Sequence, residues 1–108
     1  MRKIIILLLV LLPAHALAVT GNQLKELCNS DNPPEILQCG YYVKGAFQSH
    51  LLIQKTEDFK PHFCAPENAT VGQVVAIVRE YMDATPEKLP ESAALLVWES
   101  AIKAFPCE

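Results

Sequence analysis

"TVGQVVAIVREYM", residues 70–82, is the stretch whose reading decides the fold. Four valines in thirteen residues favour a strand on propensity alone. They do not alternate, however. Val71, Val74, Val75, Val78, Tyr81 and Met82 fall at i, i+3, i+4, i+7, i+10 and i+11, which is one face of an α-helix. Thr70 and Gln73 stand where a capping box places the N-cap hydroxyl and the N3 amide, so each can satisfy the other's backbone N–H. The β-branched residues cost only a few tenths of a kcal/mol each in a helix. The stretch is therefore predicted to be helical.

Downstream, "ATPEKLPES" (84–92) breaks that helix. Thr85-Pro86-Glu87 can start a short helical turn, because proline is tolerated at the first helical position. Pro90 ends it and opens a final helix, whose expected apolar face is Ala94, Leu95, Trp98, Ala101, Ile102 and Phe105, with Pro106 as its stop. Upstream, "QKTEDFKPHFCAPEN" (54–68) has no periodicity and is the longest expected loop, pinned at Cys64. Before it, Ile36, Cys39, Tyr42 or Val43, Phe47 and Leu51 predict a helix from Glu35. Gly40 and Gly45 weaken that helix by about 1 kcal/mol each and suggest close approach of another backbone. "NSDNPP" (29–34) is a bend, and "GNQLKELC" (21–28) predicts a first helix with Leu24, Leu27 and Cys28 on one face and Asn22 as N-cap. No strand pair, repeat or low-complexity tract stands out. The expected fold is all-α, a small bundle of about four helices.

The N-terminus has a different character. "MRK" is cationic, residues 4–12 are nine apolar residues, and Ala16-Leu17-Ala18 is a small-x-small site. That order reads as a secretory signal peptide at 1–18, leaving one small domain at 19–108. Nine apolar residues cut by Pro13 are far short of the roughly 20 that span a bilayer. Without Arg2 and Lys3, seven basic residues face twelve acids, a net charge of −5. An acidic domain with no basic cluster is a poor partner for nucleic acid or anionic lipid.

Cys28, Cys39, Cys64 and Cys107 all lie after the leader, and an even count in a small exported chain implies two disulfides. No Cys-x-x-Cys occurs, which argues against both structural zinc and a thioredoxin-like redox site. The last two helices, joined by a short connection, should run antiparallel. That hairpin brings the segment before one helix, with Cys64, to the end of the other, with Cys107. Across the 29–34 bend, Cys28 closes one helix while Cys39 lies in the first turns of the next. Of the three possible connectivities, 28–39 with 64–107 is preferred.

A search for chemistry yields little. His62 lies two residues from Cys64, but a Cys-His nucleophile needs a free thiol. Glu57 and Asp58 are adjacent and far from any partner acid, and Glu87, Glu91 and Glu99 read as a solvated face. Asn68-Ala69-Thr70 fits a glycosylation sequon, although Thr70 is better read as the helix cap. No phosphate loop, paired metal ligands or serine nucleophile motif is present, so no catalytic residue, metal or cofactor is expected. A stiff scaffold without a reactive centre points to binding. Tyr41, Tyr42, Phe59, Phe63 and Trp98 are the available aromatic anchors, of which Phe63 and Trp98 read as core.

Four stretches in order, "TGNQLKELC", "CGYYVKGAF", "FCAPENATVGQVVAIVREYM" and "TPEKLPESAALLVWESAIKAFPC", resemble the Tai/Rap-type immunity proteins of type VI secretion systems. The resemblance covers nearly all of residues 20–107. Its most specific parts are Phe63-Cys64-x-Pro66 leading into Val71-Gly72-Gln73, Phe105-Pro106-Cys107, and the Cys-x-x-Tyr-x-x-Gly run at Cys39, Tyr42 and Gly45. It implies a periplasmic, non-enzymatic, homodimeric helical protein that blocks a peptidoglycan amidase resembling papain-like cysteine amidases. The family pattern covers the cysteines and leaves the inhibitory surface open. On physical grounds the expected contact is the charged loop of Thr56, Glu57, Asp58 and Phe59, whose acids suit a basic or histidine-lined enzyme groove. Two other readings compete: a disulfide-tied envelope module binding a lipid or small ligand, and a structural envelope domain without a toxin partner.

Overall fold

The computed structural model describes residues 18–56 and 60–108; residues 1–17, which hold all but the last residue of the expected signal peptide, and Glu57, Asp58 and Phe59 lie outside them. Among the described residues four helices make the bundle: α1 (Gly21–Cys28), α2 (Pro33–Thr56), α3 (Val71–Ala84) and α4 (Ala93–Ala104), with a 3-10 turn at Pro86–Lys88 between the last two. Pairwise packing of α1 on α2, α2 on α3 and α4, and α3 on α4 encloses one core. The core includes Leu24, Val43, Phe47, Phe63, Val78, Met82, Leu96 and Val97, and the Cys28–Cys39 pair is buried with them. Both predicted disulfides are present, with Cα–Cα separations of 5.0 Å for Cys28–Cys39 and 5.1 Å for Cys64–Cys107.

The 70–82 reading holds. Gln73 N donates to Thr70 Oγ1 at 3.1 Å and Thr70 N donates to Gln73 Oε1 at 2.9 Å, the reciprocal capping box. Val74, Val78 and Met82 are the buried stripe. The same device opens α1, where the cap is Thr20, paired with Gln23, in place of the expected Asn22. Position 22 already belongs to the helix, and its N–H donates to Leu89 O at 2.9 Å. Moreover, Pro33 and Pro34 do not precede α2 but form its first turn, where a missing N–H costs nothing.

Two readings of packing are corrected. In α4 the buried residues are Ala93, Leu96, Val97, Ser100 and Ala101, whereas Ala94, Leu95, Trp98 and Ile102 are only partly covered. The face is thus turned by about one residue, or roughly 100°. Residues 93–98 are apolar throughout, so pattern alone does not define the rotation. Small side chains at 93, 100 and 101 let neighbouring segments come close. Gly40 and Gly45, read as sites of close backbone approach, face open space: a Cβ at either meets nothing within 4 Å. The close approach is at Gly21 instead. A Cβ there would fall on Leu96 Cδ1 and lie 2.8 Å from the Leu89 carbonyl oxygen.

Gly21 is tight because the segment entering α1 is laced to the α3–α4 connection. Gly21 N donates to Glu91 O at 2.9 Å, and Ala93 N donates to Val19 O at 2.8 Å. Thr20 and Ser92 form an isolated antiparallel bridge. The final helix accordingly begins at Ala93 behind Ser92, not at Pro90.

Candidate partner-binding surface

The expected contact loop leaves the C-terminal end of α2, and its frame is defined on both sides. Thr56 is exposed, and its Oγ1 donates to Ile53 O at 3.2 Å, within the last turn. Beyond residues 57–59 the chain is caught by Gln54, a residue with no sequence signal. Its Oε1 accepts from His62 N at 2.9 Å and Phe63 N at 3.1 Å, and its Nε2 donates to Phe63 O at 3.1 Å. One side-chain amide therefore stands in for a strand edge. Phe63 is buried, its ring in tilted contact with that of Phe47 at 5.5 Å between centroids. One residue on, Cys64 N donates to Phe105 O at 2.8 Å beside the Cys64–Cys107 bridge. Replacing Gln54 by Leu takes the partner from the part-buried N–H and C=O of Phe63, while the exposed His62 N–H turns to water, so a loss of about 2 kcal/mol is expected. Amide exchange at His62 and Phe63 should quicken well before exchange in α3; equal protection in the variant would contradict the clamp.

The polar side chains inside the bundle are occupied with structure. Glu99, read from sequence as part of a solvated face, accepts from Tyr81 Oη at 2.9 Å and pairs with Lys88 Nζ at 3.3 Å. Burial pushes the Tyr81 hydroxyl above its ordinary range, partly offset by Lys88, and the bonds to Tyr81 and Glu99 raise the Lys88 ammonium. This trio ties the 3-10 turn across α3 and α4. His50 Nε2 lies 3.1 Å from Ala94 O, and the His62 ring meets the edge of Trp98 at 5.4 Å. All four cysteines are in disulfides, so His62 has no thiol to activate. Among the described residues no group of three or more His, Cys, Asp or Glu could hold a metal ion, and no helix is long and apolar enough to cross a membrane.

Of the five candidate aromatic anchors, Phe63 is core, Trp98 and Tyr42 are half-buried, and Phe59 lies outside the described residues. Tyr41 is 70% exposed. It belongs to an outward face of α2 that also bears Leu37 (59% exposed) and Ile53 (50% exposed), with Gly45 and Ser49 between them. Sequence reading followed the inward stripe and passed over this one. The available signal was that α2 is apolar on more than one side, which a helix needing a single buried face does not require.

These observations define a class: a small all-α scaffold, stapled twice, whose internal polar groups hold its own hairpins and whose distinctive features lie outside. Within that class the chain belongs to the Rap1a immunity protein family, whose model matches residues 20–107. It is an immunity protein, a type that binds a cognate secreted effector and is generally non-enzymatic. No curated protein and no solved structure matches the chain.

Proposed function

We propose that this chain is a periplasmic immunity protein that binds and blocks a peptidoglycan amidase effector of a type VI secretion system, protecting the producing cell from itself and its siblings. Membership of the immunity family over residues 20–107 carries this reading. The leader-like order of residues 1–18 and the use of every cysteine in a disulfide support export to an oxidising compartment. The amidase class follows from the motif resemblance, and the loop of Thr56, Glu57, Asp58 and Phe59 is the proposed contact. Incubated with the amidase effectors of its own genome, the mature protein should inhibit one of them at stoichiometric concentration. Glu57→Lys combined with Asp58→Lys should weaken that inhibition by at least tenfold. Unchanged inhibition would dismiss the loop, and failure against every amidase would remove the reading itself.

The protein is further proposed to act as a homodimer through the outward face of α2. An antiparallel pair of α2 helices centred at position 47 would set Tyr41 against Ile53 and Gly45 against Ser49, each contact occurring twice as a two-fold axis demands. Large residues thus lie at the ends of the seam and small ones at its middle, where two backbones can approach. Tyr41→Arg should turn a dimer into a monomer in light scattering, with a dimer dissociation constant raised about 100-fold. A monomeric wild type would refute the pairing.

A further inference from the structure

A second surface of α2 points to how the effector is gripped. Between α2 and the segment running into α3 lies a groove of about 520 Å³. Phe47, Leu51 and Val74 contribute to its apolar lining, and Pro66 and Val71 stand on the far wall. Val71 is 40% exposed although it heads the stripe that forms the core face of α3. On the near rim stand Lys44 and Lys55, eleven residues and therefore about 16 Å apart along the helix. Neither lysine makes an ion pair among the described residues, where the ion pairs are Lys25–Asp83 and Lys88–Glu99. Glu67, on the opposite wall, is the one acid among the lining residues.

We propose that this groove seats a segment of the effector in which carboxylates flank an apolar side chain. Charge complementarity selects that occupant. Residues 19–108 carry twelve acids against seven basic residues, so an acidic segment is repelled by most of the surface and attracted where two lysines that make no ion pair among the described residues border apolar floor. The walls are held in advance: α2 on one side, and on the other the chain between the Cys64 bridge and the Thr70 capping box. Little ordering entropy is lost on binding. Lys55 immediately precedes Thr56, the first residue of the proposed contact loop in sequence. The inference rests on the inhibitor reading and adds to it a reciprocal grip, acidic loop into effector and acidic effector segment into groove.

The test compares the mature wild type with Lys44→Glu/Lys55→Glu and with Arg79→Glu/Lys103→Glu, which changes charge equally on other exposed positions. Against the amidase that the wild type inhibits, the groove variant should bind at least 30-fold more weakly, the control less than threefold, with circular dichroism and dimer mass unchanged in both. Equal losses in the two variants, or none in the first, would overturn the groove while leaving the inhibitor reading intact. If the wild type inhibits no amidase, the inhibitor reading falls and the groove is decided separately. A fluorescein-labelled ten-residue peptide of Leu and Glu should then bind the wild type at least tenfold more tightly than its Leu and Lys twin, and lose that preference in the groove variant. Absence of the preference would overturn the proposal.

Discussion

Combining Cys64→Ala with Cys107→Ala should lower the midpoint of thermal unfolding by about 20 °C. The bridge spans 43 residues, and closing a loop of that size in the unfolded chain is worth about 4 kcal/mol in the chain-entropy model. For a domain this small each kcal/mol moves the midpoint by roughly 4–8 °C. Cys64 and Cys107 lie outside the helices; apart from the bridge their segments meet through the backbone bond from Cys64 N to Phe105 O and a weak contact of the Cys107 sulfur with Pro61 O at 3.9 Å, while the Gln54 clamp and the Phe105 ring on Phe47 hold each segment to the bundle only from one side. Phe63 is the side chain most at risk, being core although it sits in a loop. In circular dichroism melts, reductant should cost the wild type more than the double substitution does, because it opens both bridges, and should cost the double variant only the part due to Cys28–Cys39. A variant melting within a few degrees of oxidised wild type would show that the terminus is held by other contacts.

The second large effect concerns glycine. Gly21→Ala should destabilise the fold by about 3 kcal/mol, whereas Gly40→Ala should stabilise it by up to about 1 kcal/mol. The Gly21 methyl would meet Leu96 Cδ1 and the Leu89 carbonyl, and the latter cannot withdraw without breaking the bond it accepts from Asn22 N. At Gly40, by contrast, the added methyl enters empty space on a helix whose backbone it stiffens. Urea midpoints of the two variants should therefore move in opposite directions from wild type. Movement in the same direction would sink this account. Since Gly21 has no positive φ, its requirement is for space and not for an unusual backbone conformation.

The contrast shows where sequence reasoning reached and where it stopped. A capping box is local chemistry over four residues, so Thr70 and Gln73 announced the start of α3 before any fold was known. The same pattern stands at Thr20 and Gln23, where Asn22 offers a competing cap that only the structure eliminates. The disulfide pairing followed from a hairpin argument that needs only helix order. Gly21, on the other hand, looks like an ordinary first-turn glycine, since what crowds it lies some 70 residues away in sequence. Gln54 carries no pattern because its partners are backbone groups, which any sequence possesses. The outward face of α2 was hidden by the stripe that does enter the core.

What residues 19–108 determined unaided were properties of short range: helical period, capping, the prolines that follow α3 and α4, and an even set of cysteines in an acidic segment. Tertiary structure alone decided the rotation of α4, the tight seat of Gly21, the Gln54 clamp and which faces of α2 remain outside. Periodicity specifies that a helix has an apolar side. Which side is covered, when α2 and α4 are apolar over more than one, depends on the volumes of residues brought together from distant parts of the chain.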